Sequence, residues 1–181
     1  MRDVLEVSTE EQWVRTQPGI VLDELNAQLH QTGLMFAPDP STSNRSNVGG
    51  ALGNNSCGAH SIVWGKTVDN VEELSVVLAN GETATFGALN TANVEAKTRA
   101  DKLESDIYRR LFTIGEANRD EVVKRYPKVQ RRVSGYNLDE FVDRNGFDMA
   151  RFVVGSEGTL VTITEAKLKL VSRPKFKGLA V

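Results

Sequence analysis

The chain is poor in the residues that build covalent or metal-held scaffolds. Among 181 residues there are one cysteine, two histidines and five prolines. A single cysteine, Cys57, has no partner for an internal disulfide and cannot build a cysteine-based zinc site. Two histidines, His30 and His60, are too few for a histidine metal cage, so no metal is expected. No apolar run approaches the about 20 residues that a membrane-spanning helix needs. The opening MRDVLEVSTEEQW lacks the basic-then-apolar pattern of an export signal, so a cytoplasmic protein is expected. Neither sign of charge dominates: the formal net charge is -2. No global field therefore recruits nucleic acid or an anionic membrane. What is present is 40% hydrophobic and 25% charged residues, an ordinary globular balance for one domain with a real core.

Glycine is distributed unevenly. Gly49, Gly50, Gly53, Gly58 and Gly65 crowd one stretch, Gly155 and Gly158 form a second, and a charged, glycine-poor segment lies between. A short extended segment around Val14–Gln17 stops at the turn pair Pro18-Gly19. From Val21 to Gln31, Leu22, Leu25 and Leu29 recur at helical spacing, Asp23 and Glu24 suit the first turn, and Gly33 suits the C-cap. The stretch from Phe36 to Lys66 reads as a long ordered loop with one short helix at Val48–Asn54. Val71–Leu78 and Glu82–Phe86 read as strands joined at Asn80-Gly81, a type I′ hairpin signal. Leu103–Glu116, Asn118–Arg125 and Leu138–Val142 are helix candidates, Arg151–Val154 a short strand, and Thr159–Val171 a long one closed by Pro174. The pattern predicts an α+β fold with a mainly antiparallel sheet flanked by helices. No strand is followed by G-x-G-x-x-G and a helix, so a Rossmann reading is unsupported.

Glycine lets backbone approach a ligand closely. Gly49 and Gly50 at a helix start would present unpaired N–H groups outward, where anions and polarised carbonyls bind. Asn54, Asn55 and Ser56 add short polar side chains, and Val48, Leu52 and Trp64 add apolar surface. That mixture suits a flat heterocycle with apolar faces and a polar edge. The plainer reading is that these glycines only make turns. The second cluster, VVGSEGTL, reads as strand, tight turn and strand, with Glu157 capping nearby N–H groups.

Four ordered segments carry a resemblance. They are QPGIVLDELNAQLHQTGLMFAPDPST, NVGGALGNNSCG, VWGKTVDNVEELSVVLANGE and FVVGSEGTLVTITEAKLKL. Together they resemble the FAD-linked oxidases of the vanillyl-alcohol-oxidase/PCMH superfamily, and within it the D-lactate, glycolate and D-2-hydroxyglutarate dehydrogenase group. The resemblance implies the second subdomain of the PCMH-type FAD-binding fold. It places the Pro38–Ser43 loop, with Pro38, Asp39, Pro40 and Ser41, and the Gly49-Gly50 segment near the flavin ring. Asn54, Ser56, Gly58, Ile62, Trp64 and Gly65 would line the rest of the cofactor. Val153 or Val154 would lie near the adenine end, with Gly155 and Gly158 shaping the turn beside it. It implies FAD as cofactor, a small 2-hydroxy acid as substrate, and hydride transfer to the flavin. In the parent chain it leaves room for an electron-acceptor protein or an Fe–S domain.

The same resemblance implies a first FAD subdomain, with a glycine-rich pyrophosphate loop, before this sequence and a cap domain after Leu170. Residues 1–181 are thus expected to be part of a PCMH-type FAD-binding domain, with a charged helical insertion at about 90–135. Alone, that part is expected to bind FAD weakly or not at all and to turn over no substrate; no catalytic base is named. Two alternatives stay open: a non-catalytic partner-binding module retaining the fold, and a nucleotide-sugar reductase of the same superfamily. His60 is read as an ordinary loop histidine rather than a covalent flavin link, and Cys57 as a small buried filler. Lys124, Arg125, Lys128, Arg131 and Arg132 are read as a solvated helix end, with contact to FAD phosphates or an acidic partner as the other possibility. Tyr136 either approaches the flavin or packs on the core.

Overall fold

In the computed structural model, residues 1–142, 147–176 and 178 are described. The elements in order are β1 (Val4–Ser8), β2 (Trp13–Thr16), α1 (Leu22–Gln28), β3 (Leu34–Met35), α2 (Val48–Gly53) and α3 (Ser61–Trp64). Then follow β4 (Val71–Val77), β5 (Thr83–Leu89), α4 (Thr91–Thr98) and α5 (Leu103–Arg125). The last are α6 (Asp139–Val142), β6 (Phe147–Asp148), α7 (Met149–Val153), β7 (Thr162–Lys169) and β8 (Val171–Ser172). Single 3-10 turns at His30–Thr32 and Thr67–Asn70 close α1 and lead into β4.

Six strands form one antiparallel sheet in the order β1-β2-β7-β4-β5-β6, and β3 pairs with β8 apart from it. The expected α+β class and mainly antiparallel sheet are both present. β7 pairs with both β2 and β4, so the most strongly alternating strand of the sequence lies inside the sheet. Alternation sorts the two faces. Val14, Leu74, Val76, Phe86, Ala166 and Leu168 are buried on one face. Arg15, Glu73 and Lys167 lie on the other, with Arg15 Nη2 at 2.8 Å from Glu73 and Lys167 Nζ at 3.0 Å from Glu72. The buried face joins Ile20, Leu22, Leu25, Leu52, Met149 and Leu170 in one core.

Three local readings are corrected. Arg151–Val154 is not a strand: Met149–Val153 is helical, and Asp148 caps it by accepting from the Arg151 N–H at 3.0 Å. Two β-branched valines suggest a strand, but the Asp148 cap and the packing of α7 decide the conformation. Second, Leu103–Glu116 and Asn118–Arg125 are one helix of 23 residues. Asn118 costs little inside a helix, and its Nδ2 donates back to the Ile114 carbonyl at 2.9 Å. Third, the β4–β5 connection is not type I′, which needs positive φ at both Asn80 and Gly81. Of the two, only Gly81 has it, at 85°. The Gly81 N–H donates to the Leu78 carbonyl and the Leu78 N–H to the Glu82 carbonyl, a three-residue loop ending in a left-handed glycine.

Candidate functional site

The first glycine cluster builds α2 and the loop after it. Asn47 is the N-cap, its Oδ1 accepting from the Gly50 N–H at 2.6 Å. The N–H groups of Val48 and Gly49 donate to the carbonyls of Ile20 and Pro18 at 2.9 and 2.7 Å. The expected row of outward, unpaired N–H groups at this helix start is therefore absent, because the fold uses them to dock α2 on the Pro18–Ile20 turn. Val48 and Leu52 are also fully buried in the core, so they supply no apolar surface to a ligand.

The second glycine cluster meets the first. The Gly155 N–H donates to the Leu52 carbonyl at 2.8 Å and the Glu157 N–H to the Gly53 carbonyl at 2.9 Å. The C-terminal end of α2 is thus capped by a turn about 100 residues further along the chain. Gly155 has φ 90°, a backbone conformation that favours glycine, while a Cβ there would meet the Asn55 Cβ at an ordinary contact distance of 3.5 Å. Glu157 itself takes φ 50° and lines the space in front of the junction. This is a turn after a helix, where a strand, turn and strand were expected.

In front of the junction lies a cavity of about 670 Å³. Its walls include Pro40, Thr42, Arg45, Asn47, Gly50, Asn54, Asn55, Ser56, Cys57, Glu157 and Val133–Gly135. Four sequence-derived candidates, Pro40, Gly50, Asn54 and Ser56, are among them, and Ser56 Oγ donates to Asn54 Oδ1 at 2.6 Å. Asn55 is buried, with φ 51°. Its Oδ1 accepts from the Val68 N–H at 3.0 Å, while its Nδ2 has no hydrogen-bond partner among the described residues. A buried amide donor left unpaired costs about 1–3 kcal/mol, which an acceptor on a ligand edge offsets.

The other candidates fall elsewhere. Asp39 and Trp64 line a second cavity of about 620 Å³ with His60, Asn26, Phe36 and Arg173. The Pro38–Ser41 turn parts the two cavities, with Asp39 on one side and Pro40 on the other. His60 Nδ1 pairs with Asp39 Oδ2, and its N–H donates to Asp39 Oδ1 at 3.3 Å. This histidine is held by a carboxylate. Gly58 packs on the same turn so closely that a Cβ would collide with the Asp39 carbonyl oxygen. Gly49 is docked under Pro18, and Ile62 is exposed. Val153 and Val154 are buried in the core, with the Val154 carbonyl accepting from Asn137 Nδ2 at 2.9 Å. Pro38, Ser41, Gly65, Val153, Val154 and Gly155 do not line either cavity.

Arg151 of α7 ties the site to the fold. Its Nε donates to Glu140 at 2.6 Å and its Nη2 to Asp69 at 3.1 Å, while Asp69 Oδ2 accepts from the Lys66 N–H at 2.9 Å. Burial opposes the Arg151 charge, but the two carboxylates outweigh it and hold the guanidinium above its ordinary value. The loop that carries Gly58 and Gly65 is therefore anchored at its far end through Asp69.

Sequence reading missed Arg45, Asn47 and Val133–Gly135 as cavity walls. An SNRSN run ahead of a glycine pair was a signal for the first two; nothing in VSG marked the others. The basic group also differs from expectation. Arg132 donates both bonds to the Asp139 carboxylate at 2.6 and 2.7 Å and lies 4.5 Å over the Tyr126 ring, so it is built into the fold rather than solvated. Cys57 is half-buried at the cavity wall rather than a core filler. Tyr136 is half-exposed, with its hydroxyl 3.0 Å from Thr159 Oγ1 and its ring beside Phe152.

Comparison with known proteins gives this geometry a family. Residues 1–87 match the FAD binding domain family. The chain is 37% identical over 179 residues to a D-2-hydroxyglutarate dehydrogenase of Pantoea ananatis, covering 98% of this chain and 18% of that protein. It is 38% identical over 177 residues to a D-2-hydroxyglutarate dehydrogenase of Pseudomonas putida, covering 97% of this chain and again 18% of the relative. Among solved structures, an alkyldihydroxyacetonephosphate synthase superposes with a TM-score of 0.60 at 24% identity, covering 97% of this chain and 22% of that one, which shows a shared fold. The chain thus spans less than a fifth of the length of the curated relatives named here. Residues 1–87 thus match a family whose domain binds FAD, and the likeness to D-2-hydroxyglutarate dehydrogenases runs over nearly the whole chain.

Proposed function

We propose that this chain is the FAD-binding part of a flavin-dependent oxidoreductase that oxidises a small 2-hydroxy acid of the D-lactate, glycolate or D-2-hydroxyglutarate type. The observation that carries the reading is the junction of α2 with the 155–158 turn. Two glycine clusters far apart in sequence meet at one cavity, in a chain whose first 87 residues match an FAD-binding family. The names of the two bacterial relatives favour D-2-hydroxyglutarate as the substrate type.

When bound, FAD supplies a two-electron acceptor for the α-hydrogen of the acid, taken as hydride. Pro40, Asn54, Asn55, Ser56 and Cys57 would hold it in the first cavity. The orphaned Asn55 Nδ2 would donate to an acceptor on it, and Arg45 is the basic side chain of the cavity wall. The Pro38–Ser41 turn would border the ring, and Val153, Val154 and Gly155 would back the adenine end. Gly50 and the capped α2 keep this wall rigid, so the donors stand oriented before the ligand arrives. Residues 1–181 would be part of a PCMH-type FAD-binding domain in a cytoplasmic protein, with α4, α5 and the segment after them as a charged insertion. An electron-acceptor protein or an Fe–S domain would take the electrons onward.

Protein expressed from the full reading frame around this chain should be yellow, and under anaerobic conditions one 2-hydroxy acid of a panel should bleach its visible band. Asn55→Asp, which replaces the unpaired donor by an acceptor at constant volume, should weaken FAD binding about tenfold or more. A folded, colourless protein that takes up no added FAD overturns the reading and favours a partner-binding module.

A further inference from the structure

The cavity has a wall that comes from neither glycine cluster. Val133, Ser134 and Gly135 belong to the segment that follows α5, yet they line the space opposite Asn54 and Ser56. This segment is tied at one end to the first glycine loop. Gln130 Nε2 donates to the carbonyls of Ser61 and Ile62 at 3.1 and 3.3 Å, and Arg131 Nη2 donates to the Gly58 carbonyl at 2.7 Å. Lys66 Nζ returns a bond to the Arg132 carbonyl at 3.2 Å. At the other end the segment is tied to the second cluster. The Tyr136 hydroxyl meets Thr159, and Asn137 Nδ2 donates to the carbonyls of Arg151 and Val154 at 3.1 and 2.9 Å.

Carbonyl oxygens are what a loop of glycines and short polar residues has to offer. Gly58, Ser61 and Ile62 cluster at the entry to and within α3, where the Ile62 and Val63 side chains are exposed and leave the backbone carbonyls open to outside donors. Long side chains from a distant segment supply those donors here, two of them from consecutive residues and one charged, which strengthens its bond to a neutral carbonyl.

We propose that residues 126–136 are a strap across the cavity, and that Gln130 and Arg131 are positioning residues that hold the 58–66 loop, which continues directly from the Asn54–Cys57 wall. The strap spans the same two clusters that meet behind the cavity, so the cavity is closed on two sides by links between them. Residues 130–132, which the sequence shows only as charged and polar, therefore act on the cofactor site through backbone carbonyls and not through FAD phosphates. This inference rests on the FAD reading only for its effect on cofactor release; the effect on the loop stands apart from it.

The test uses the protein expressed from the full reading frame, first stripped of flavin and then reloaded with FAD. In the flavin-free protein, Gln130→Ala/Arg131→Ala should raise amide hydrogen exchange across residues 58–66 about tenfold, with far-ultraviolet circular dichroism unchanged. Gln130→Ala alone should give a smaller rise at Ser61–Trp64, and it serves should the double variant fail to fold. Arg131→Lys, which keeps one charged donor, should restore most of the protection. In the loaded protein, FAD release should accelerate about tenfold in the double variant. Lys128→Ala, an exposed lysine of the same segment, should move neither reading. Unchanged exchange at 58–66 overturns the strap, as does an equal rise in Lys128→Ala. Raised exchange with an unchanged release rate overturns its effect on the cofactor. A wild-type protein that takes up no FAD overturns the flavin reading instead, while the exchange measurement still decides the strap.

Discussion

The cavity region and the α4–α5 arm are held together by different means. Around the cavity, backbone bonds to backbone over long sequence distances: Gly155 to Leu52, Glu157 to Gly53, Gly49 to Pro18. Along the arm, much of the pairing is local and exposed, as in Glu95 with Arg99, Asp106 with Arg109 and Glu121 with Arg125. The arm couples to the rest through aromatic groups of α5 and through the segment beyond its end. Tyr108 packs edge-on against Phe86 of the sheet and Phe112 against Phe147, while Glu104, buried between Lys97 and Lys102, joins α4 to α5. Backbone links fix geometry with few alternatives, while exposed ion pairs add charge and solubility with little stability. Chemistry that needs fixed donors therefore belongs where the backbone is cross-linked.

That contrast can be broken by substitution, and the expected effects fall in order. Arg151→Ala leaves the buried side of the Glu140 and Asp69 carboxylates uncompensated. It should lower unfolding free energy in urea by about 3 kcal/mol, with loss of FAD affinity through the 58–66 loop. A loss near zero would mean that the network is incidental. Gly155→Ala places a side chain at φ 90°. It should cost about 1–3 kcal/mol in the same assay and separate the α2 end from its capping turn, visible as faster exchange of the Glu157 amide.

Glu104→Gln tests the root of the arm. Burial raises the Glu104 pKa, but the Lys102 and Lys97 ammonium groups outweigh it and hold the carboxyl below its ordinary value. The stability it contributes is thus present above the ordinary carboxylate range and is lost as pH falls through the lowered value. The variant should be about 1–2 kcal/mol less stable at neutral pH, and the gap should close in acid unfolding series. A gap that grows towards low pH would reverse the assignment. Glu121→Ala, on the exposed arm, should shift stability by less than about 0.5 kcal/mol in urea, and a larger shift would deny the contrast itself.

The sheet was legible because alternation is a strong local signal. Leu74 and Val76 against Glu73 and Ser75 place β4 to within a residue, and the short helix read at Val48–Asn54 is α2. The strand misread at Arg151–Val154 shows the limit of local pattern. Its two valines favour extended backbone, and only the Asp148 cap and the partners Glu140 and Asp69, brought close by folding, make it helical. Similarly, nothing local reveals that the N–H groups of Val48 and Gly49 point into the Pro18–Ile20 turn. The two glycine clusters were legible as places, not as surfaces. Which of their residues face the cavity depends on the junction at Gly155 and on Val133–Gly135, both set by long-range packing.

The two tryptophans occupy opposite surroundings. Trp13 lies on the charged face of the sheet with Lys167 Nζ 4.5 Å above its ring, whereas Trp64 sits 5.4 Å from the His60 ring beside the second cavity. Flavins absorb where indoles emit. With Trp13 replaced by Phe, Trp64 is the remaining indole of residues 1–181, an optical ruler whose dimming by energy transfer reports how near a bound isoalloxazine comes to the turn between the two cavities.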